Sequence, residues 1–438
     1  MAEYFNFSIN TLGEPTNKSP INTNDDNFKT HFVNAEQKCL YSSKLSINNL
    51  NPHYEQDNLL EIAGPREKIF FNPEGLHAAI VTCGGLCPGI NDVIRSLVMC
   101  LWYRYGVKEI SGICNGYRGL LPEHNIPIQK LTPDVVSPIH RMGGSILGVS
   151  RGYGDQTEEL VDALEAQNIK ILFTIGGDGT QRAALNLHYE IKKRGLPISI
   201  IGIPKTIDND IGFVNQSFGF VTAVSRAVES IAAAHTEAHD AINGIGIVKV
   251  MGRACGHIAA NTALAMNDVN FVLIPEVPFS LEGKNGLLKH LENRLETRKH
   301  ALILVAEGAG QDLLKNTGHK DLSGNKKLAD IGLFLKESIS AHFKNNSKEV
   351  HLKYIDPSYL IRSAPANPYD SIYCARLGNN AVHAAMSGRT GMMISHWNMR
   401  YVHVPLELVI AKRKTVSPKE SLWRDVLALT GQPANMKS

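Results

Sequence analysis

The sequence predicts an α/β protein of two domains, each a parallel sheet flanked by helices. Three observations carry that expectation. From residue 76 onward, apolar runs alternate with amphipathic helical patterns, the order that yields parallel strands joined by crossover helices. Glycine-rich turns follow several apolar runs, and ligands of open parallel sheets bind at the carboxyl ends of strands. The same texture resumes after about residue 220, and 438 residues are too many for one ordinary core.

Taken in order, residues 1–75 are polar and rich in Asn. They read as an N-terminal arm that packs on the body or on a neighbouring subunit, with a disordered leader as the alternative for the first 30 residues. "LHAAIVTCGG" is a strand ending in glycines, and "GINDVIRSLVMCLWYRYG" is a helix closed by Gly106. "EISGICNGYRG" is a strand and turn. "QTEELVDALEAQNI" is a helix capped by Asp155 or Thr157, with Glu158 and Glu159 in its first turn. "KILFTIGGDG" is a strand, "TQRAALNLHYEIKKRG" a helix, and "ISIIGIPKTIDND" a strand and loop. The second part supplies strands in "AINGIGIVKVMGR", "FVLIPEVPF" and "HALILVAEGAGQ", and helices in "GLLKHLENRLETRKH" and "ADIGLFLKESISAHF". Residues 311–327 read as a polar loop, and the basic last 25 or so residues as a peripheral tail.

Composition narrows the function classes. The chain is 43% hydrophobic and 20% charged, ordinary for a globular protein. A net charge of +3 is too small to argue for nucleic acid or a membrane surface. No apolar run reaches the roughly 18 residues of a membrane span. The start "MAEYFNFSIN" lacks a basic-then-apolar leader, so secretion is not expected. Seven irregularly spaced cysteines argue against a disulfide framework and for a reducing compartment. Cys83 and Cys87 have no second pair at zinc-site spacing and read as small buried side chains.

Three strand-end loops carry candidate chemistry. In "CGGLCPGIND", Gly84, Gly85 and Gly89 lie between a strand and a helix, where backbone N–H groups can reach a phosphate. The spacing is neither the dinucleotide fingerprint nor a P-loop, and a purely structural turn explains it equally well. In "GGDGT", Asp178 sits at a strand end among glycines with little to pair with except a cation, so a Mg²⁺ ligand beside phosphates competes with a helix cap. In "PKTIDND", an Asp that reaches a substrate hydroxyl can take its proton during phosphoryl transfer; an Asx-turn is the bland reading. Arg151, Arg253 and Arg362 lie in or beside loops, and forked guanidinium donors suit phosphate.

The set "CGGLCPGIND", "GGSILGVSRG", "TIGGDGTQRAA", "GIPKTIDND", "VKVMGR", "AEGAGQ" and "YLIR" resembles the phosphofructokinase family from about residue 70 to 400. It looks most like the branch of plants, trypanosomatids and other protists. The resemblance implies two Rossmann-like three-layer α/β domains with the active site in the cleft between them, plus the N-terminal arm. Residues 76–219 with 361–411 would bind the donor, 220–360 the sugar phosphate, and 412–438 would form the tail. It implies phosphoryl transfer to O1 of fructose 6-phosphate. Asp208 would be the base, flanking the reacting hydroxyl together with Thr206, and Ile207 would bind the substrate. Asp178 would bind Mg²⁺, supported by Asp210. Gly84, Arg151, Gly177, Asp178, Gly179, Thr180 and Lys205 would cradle the donor, with Ser323 and Asn325 over the nucleotide or in a plain surface loop. Met251, Gly252 and Arg253 would hold the sugar, Arg253 also lying near the transferred group. Glu307 would bind sugar hydroxyls, and Tyr359 to Arg362 the 6-phosphate. The sequence departs from the family pattern at Gly244 and Lys353, where arginines are usual, and at Tyr359, where a histidine is usual.

The donor turns on Gly179. Pyrophosphate users of the family place a second acid there, which occupies and repels the space of the ATP α-phosphate. Gly179 leaves that space open and favours ATP. Lys205, a companion of pyrophosphate use in much of the family, points the other way. The resemblance further implies a cytoplasmic homotetramer with an AMP-type effector. The C-terminal "NMKS" is no peroxisomal address. The alternatives are a pyrophosphate-dependent fructose-6-phosphate 1-phosphotransferase and a catalytically weak regulatory subunit.

Overall fold

The computed structural model describes residues 5–21, 31–42, 58–314 and 328–438. The chain divides into two units: Met1–Thr206, Ile211–Gly219 and Ala364–Arg413 in one, and Ile207–Asp210, Phe220–Ser363 and Lys414–Ser438 in the other. The expected boundaries shift by a few residues, and Ile207–Asp210 goes to the second unit.

The first unit opens with short strands β1 (Asn10–Thr11), β2 (Asn17–Lys18), β3 (Lys38–Leu40), β4 (Leu59–Ile62) and β5 (Lys68–Ile69). Then come β6 (His77–Thr82), α1 (Ile90–Met99), β7 (Glu109–Ile113), β8 (Gln129–Lys130), α2 (Pro133–Val136), α3 (Thr157–Ala166), β9 (Ile171–Gly176), α4 (Asp178–Lys193) and β10 (Ser199–Pro204). The second unit contains α5 (Phe220–His239), β11 (Gly244–Val250), α6 (His257–Ala265), β12 (Phe271–Leu273), α7 (Leu287–Arg298), β13 (His300–Ala306), α8 (Ile331–Asn345), β14 (His351–Ile355) and α9 (Ser358–Arg362). The chain re-enters the first unit with α10 (Pro368–Met386), β15 (Arg389–Thr390), β16 (Met392–Trp397), β17 (Arg400–Pro405) and α11 (Leu406–Ala411), and ends in the second with α12 (Ser421–Thr430).

The first unit is built on a nine-stranded sheet, order β3-β4-β17-β16-β10-β9-β6-β7-β8. Its middle, β16 through β7, is parallel. Every residue of β9 and β10 is buried, as befits strands covered on both faces. The edges correct the expectation of a purely parallel sheet. β8, β17, β4 and β3 are antiparallel. The β16–β17 turn is made by Asn398 and Met399, with φ of 46° and 63°, the left-handed pair that matches hairpin twist.

The N-terminal arm packs on its own unit. β4 pairs with β17, β1 pairs with β15, and Phe7, Cys39 and Leu60 enter the core. Glu61 on β4 anchors this seam, 2.9 Å from Arg66 and 2.5 Å from Arg389. Burial alone would raise its carboxyl, but His403 and Arg389 hold it well below the ordinary carboxylate range. Glu61→Ala leaves buried arginines unpaired and is expected to cost about 3–5 kcal/mol in urea unfolding. The depressed folded value places this contribution above an unfolded pKa of about 4.5. It is lost as pH falls through the folded value.

The second unit is a four-stranded parallel sheet, order β12-β13-β11-β14. Ile245, Ile247, Ile303 and Val305 of the sheet pack with Leu287 and Leu291 of α7 and Leu335 and Ile339 of α8. β12 is three residues long, and Pro275 lies just beyond it in "FVLIPEVPF". The last residues are not a peripheral tail. Trp423, Val426 and Met436 are buried. The Gln432 amide bonds the N–H and C=O of Val272, at 2.6 and 3.2 Å, which covers the open edge of β12.

Three helix details differ from expectation. The first helix widens into a π-turn over Cys100–Tyr105 before Gly106 ends it. α3 starts at Thr157 behind Gln156 without a side-chain cap, so neither Asp155 nor Thr157 caps it. α4 starts at Asp178, inside the glycine motif. All seven cysteines are free thiols. Among the described residues no helix is long and apolar enough to cross a membrane.

Candidate active site

In the first unit, glycine turns close the adjacent strands β6 and β9, and Lys205 follows their neighbour β10. Gly84 donates its N–H to Ser150 O at 2.8 Å. Its φ of +90° suits glycine, and a Cβ there would lie 3.3 Å from Lys205 Nζ. Lys205 Nζ donates to Gly85 O at 2.7 Å, and its backbone N–H to Gly176 O at 3.0 Å. Arg151 Nη2 lies 3.7 Å from the position of a Cβ on Gly85. Gly177 is the N-cap of α4, and a Cβ on it would lie 3.5 Å from Lys205 O. Gly84, Arg151, Gly177 and Lys205 are thus brought together, two cations at glycine turns. Thr180 is 7% exposed and packs beneath the turn. Its carbonyl accepts from Tyr117 OH at 3.1 Å.

Gly179 lies in the first turn of α4, and a Cβ on it would meet no atom within 4 Å. Asp178 corrects the expectation of a carboxylate with little to pair with. Arg413 Nη2 is 3.1 Å from Oδ2, and Arg182, one helical turn on, is 3.7 Å from Oδ1. Arg413 follows α11, far along the chain, so no local pattern announced it. Ser323 and Asn325 lie outside the described residues. Thr206 ends a stretch of the first unit, its carbonyl accepting from Ser217 Oγ at 2.6 Å.

In the second unit, neighbouring strands β13, β11 and β14 again deliver the candidate groups at their carboxyl ends. Met251, Gly252 and Arg253 follow β11, and Glu307 follows β13. Glu307 donates its N–H to Val250 O at 2.9 Å, and Gly308 to Gly252 O at 3.1 Å. These bonds zip the two loops together. Gly252 has φ of +131°, and a Cβ on it would lie 2.5 Å from Cys255 O. Burial pushes the Glu307 carboxyl up, against the charges of Arg253, Lys249 and Arg362. Arg362 ends α9 with its guanidinium 4.9 Å from the ring centre of Tyr359, which is 74% exposed.

Lys249, missed by sequence reasoning, organises this end of the sheet. It lies 2.8 Å from Asp330, the N-cap of α8, and 2.9 Å from Asp356, just before α9. Burial pushes its ammonium down, but the bonds to Asp330 and Asp356 hold it above its ordinary value. A lysine inside the apolar run "GIGIVKV" was the available signal.

Ile207–Asp210 also belong to this unit. Ile207 is buried, and Asn209 turns the chain with φ of 55°, a region Asn tolerates. Asp208 O accepts from Cys255 Sγ at 3.1 Å, and Asp210 O from Lys414 N at 3.0 Å. Burial lowers the Lys414 amine to about 8, opposed by Cys255 and Asp210. At Gly244 a Cβ would lie 2.0 Å from Ala238 O, so no arginine fits there. Lys353 is engaged by Glu237 at 3.2 Å.

The phosphofructokinase family model matches residues 77–385, more than half of the chain. An ATP-dependent 6-phosphofructokinase of Borreliella burgdorferi is 54% identical, covering 100% of this chain and 99% of its own length. One of Amycolatopsis methanolica is 48% identical, covering 91% and 94%. An ATP-dependent 6-phosphofructokinase of Trypanosoma cruzi is 45% identical, covering 85% of this chain and 76% of its own, in the branch to which the resemblance points. The crystal structure of a pyrophosphate-dependent phosphofructokinase from Nitrosospira multiformis superposes with a TM-score of 0.67. It is 21% identical and covers 82% of this chain and 92% of its own, a likeness of fold. On its motifs, its sheets and these relatives, the chain belongs to the phosphofructokinase family.

Proposed function

We propose that the protein transfers the γ-phosphoryl group of ATP to O1 of fructose 6-phosphate, giving fructose 1,6-bisphosphate in glycolysis. The observation that carries this reading is the cationic glycine cradle of Gly84, Gly177, Arg151 and Lys205 beside the unobstructed Gly179. The names of the two full-length bacterial relatives support it.

The transfer is direct and in line. Asp208 takes the O1 proton as O1 bonds to the γ-phosphorus and ADP leaves. Thr206 flanks the hydroxyl with Asp208, and Ile207 lies in the substrate-binding loop. Arg253 and Arg151 stabilise charge on the transferring oxygens. Gly177, Gly179 and Thr180 offer backbone N–H groups to the donor, Thr180 doing so in place of its buried side chain, and Gly84, lacking a Cβ, lets the donor approach the turn. Lys205, with Ser323 and Asn325, completes the donor site. Met251, Gly252 and Glu307 hold the sugar, and Tyr359 and Arg362 its 6-phosphate.

Asp178 would hold Mg²⁺, supported by Asp210. Among the described residues no three His, Cys, Asp or Glu side chains form a metal cluster. A partly exposed carboxylate fits Mg²⁺, which binds through one or two carboxylates, waters and substrate phosphates, and Asp178 would exchange its contacts with Arg413 and Arg182 for the ion. The ion would neutralise donor charge.

A homotetramer and a purine-nucleotide effector such as AMP are proposed from the family resemblance. A cytoplasmic location is proposed because seven free thiols suit a reducing compartment. A pyrophosphate-dependent transferase is the second reading, favoured by Lys205 alone.

Initial rates with fructose 6-phosphate and Mg²⁺, with ATP or pyrophosphate as donor, test the reading. ATP alone should support turnover; pyrophosphate alone would overturn the donor, and silence with both would favour a regulatory subunit. Arg362→Ala is expected to raise the sugar KM about 10- to 100-fold, the worth of a charge-assisted bond, with kcat changed less than about threefold. An effect confined to kcat would place Arg362 elsewhere.

A further inference from the structure

We propose that Cys255 is a positioning residue for the reaction: its thiol, donating to the Asp208 carbonyl oxygen, fixes the backbone that carries the base. The inference rests on the reading of Asp208 as that base.

Ile207–Asp210 belong to the second unit, although the chain on both sides of them belongs to the first. They lie in no helix or strand. Their place in the unit therefore depends on bonds such as Cys255 Sγ to Asp208 O, at 3.1 Å. Cys255 is fully buried. Burial, with the Asp208, Asp210 and Glu276 carboxylates near it, pushes the thiol far up. It stays protonated and keeps the hydrogen it donates.

The donor is itself rigidly framed. The Cys255 carbonyl lies where a Cβ on Gly252 would be, at 2.5 Å, so the sugar-binding loop packs directly against it. The next residue, Gly256, donates its N–H to Glu276 Oε1 at 3.0 Å, and that oxygen also accepts from Val416 N at 2.7 Å. One cysteine thus registers the base loop against the loop of Met251–Arg253. A thiol is a weak donor, so its contribution lies in placement. Small misplacement of a reacting group costs far more in rate than the bond is worth in stability.

The test uses the full-length protein and three substitutions. Cys255→Ala removes the donor, Cys255→Val removes it while keeping the space filled, and Cys255→Ser keeps a hydroxyl donor. Ala and Val are expected to lower kcat about 10-fold, with KM for both substrates within about twofold, and Ser to restore most of kcat. If Ala fails to fold, Val against Ser gives the same comparison. Wild-type kcat in Ala or Val, equal loss in Ser, or a loss carried by KM would each overturn the proposal. Asp208→Asn, measured alongside, separates the two readings. An inactive Asp208→Asn beside a fully active Cys255→Ala removes only the positioning role. A fully active Asp208→Asn removes the base and the proposal with it.

Discussion

Asp208→Asn is expected to cut kcat by about three orders of magnitude, within the range that a positioned general base contributes, while sugar binding stays within a few-fold. Asparagine keeps the shape of the side chain and loses the ability to take a proton. The backbone bond from Cys255 to Asp208 O does not involve the altered group, so the loop should keep its course. Steady-state kinetics give kcat, and calorimetric titration with fructose 6-phosphate gives binding. Turnover near wild type would remove Asp208 as the base. A weakened sugar affinity with modest kcat loss would make it a binding residue instead.

Gly179→Asp should abolish the use of ATP without disturbing the fold. A Cβ at this position meets nothing within 4 Å, and its φ lies outside the left-handed region that favours glycine. An acid in the first turn of α4 also suits the positive end of the helix. Thermal stability should therefore change little, within about 0.5 kcal/mol. The cost falls on the ligand. A carboxylate beside an α-phosphate is a like-charge contact of several kcal/mol, so kcat/KM for ATP should fall at least about 100-fold. Rates with ATP and with pyrophosphate on the same preparation give the answer. Undiminished ATP use would show that the nucleotide does not pass Gly179.

Much of this was legible in the sequence because it is local. Buried β9 and β10 read as apolar runs, and the turns after β6 and β9 as glycine clusters, since strand, turn and helix start are encoded within a dozen residues. The helices α5 and α10 were not assigned. Alanine and glycine blur the apolar stripe of "FVTAVSRAVESIAAAHTEAH" and "PYDSIYCARLGNNAVHAAM", although Asn367 and Pro368 form a proper helix start. β14 escaped because its residues are only half-buried. At the site, glycine turns and acids were visible as types. Their partners were not: Arg413 at Asp178, Cys255 at Asp208 and Asp330 at Lys249 all come from distant segments, and no spacing rule joins them.

The late return of the chain to its first unit has a consequence for biosynthesis. β10 pairs with β16, and β4 with β17, so a nascent chain that has made β10 must wait roughly 190 residues for its neighbour. At about 5–20 residues per second that is about 10–40 s with an apolar strand edge unpaired. The second unit waits as well, since Gln432 closes β12 only at the very end. The first sheet is complete only once β17 has emerged, and the covered edge of the second only once Gln432 has. Newly made chains therefore present open edges to whatever holds nascent polypeptides apart, and a message cut short before Gln432 yields a product with the candidate loops made and the β12 edge left to pair with strangers.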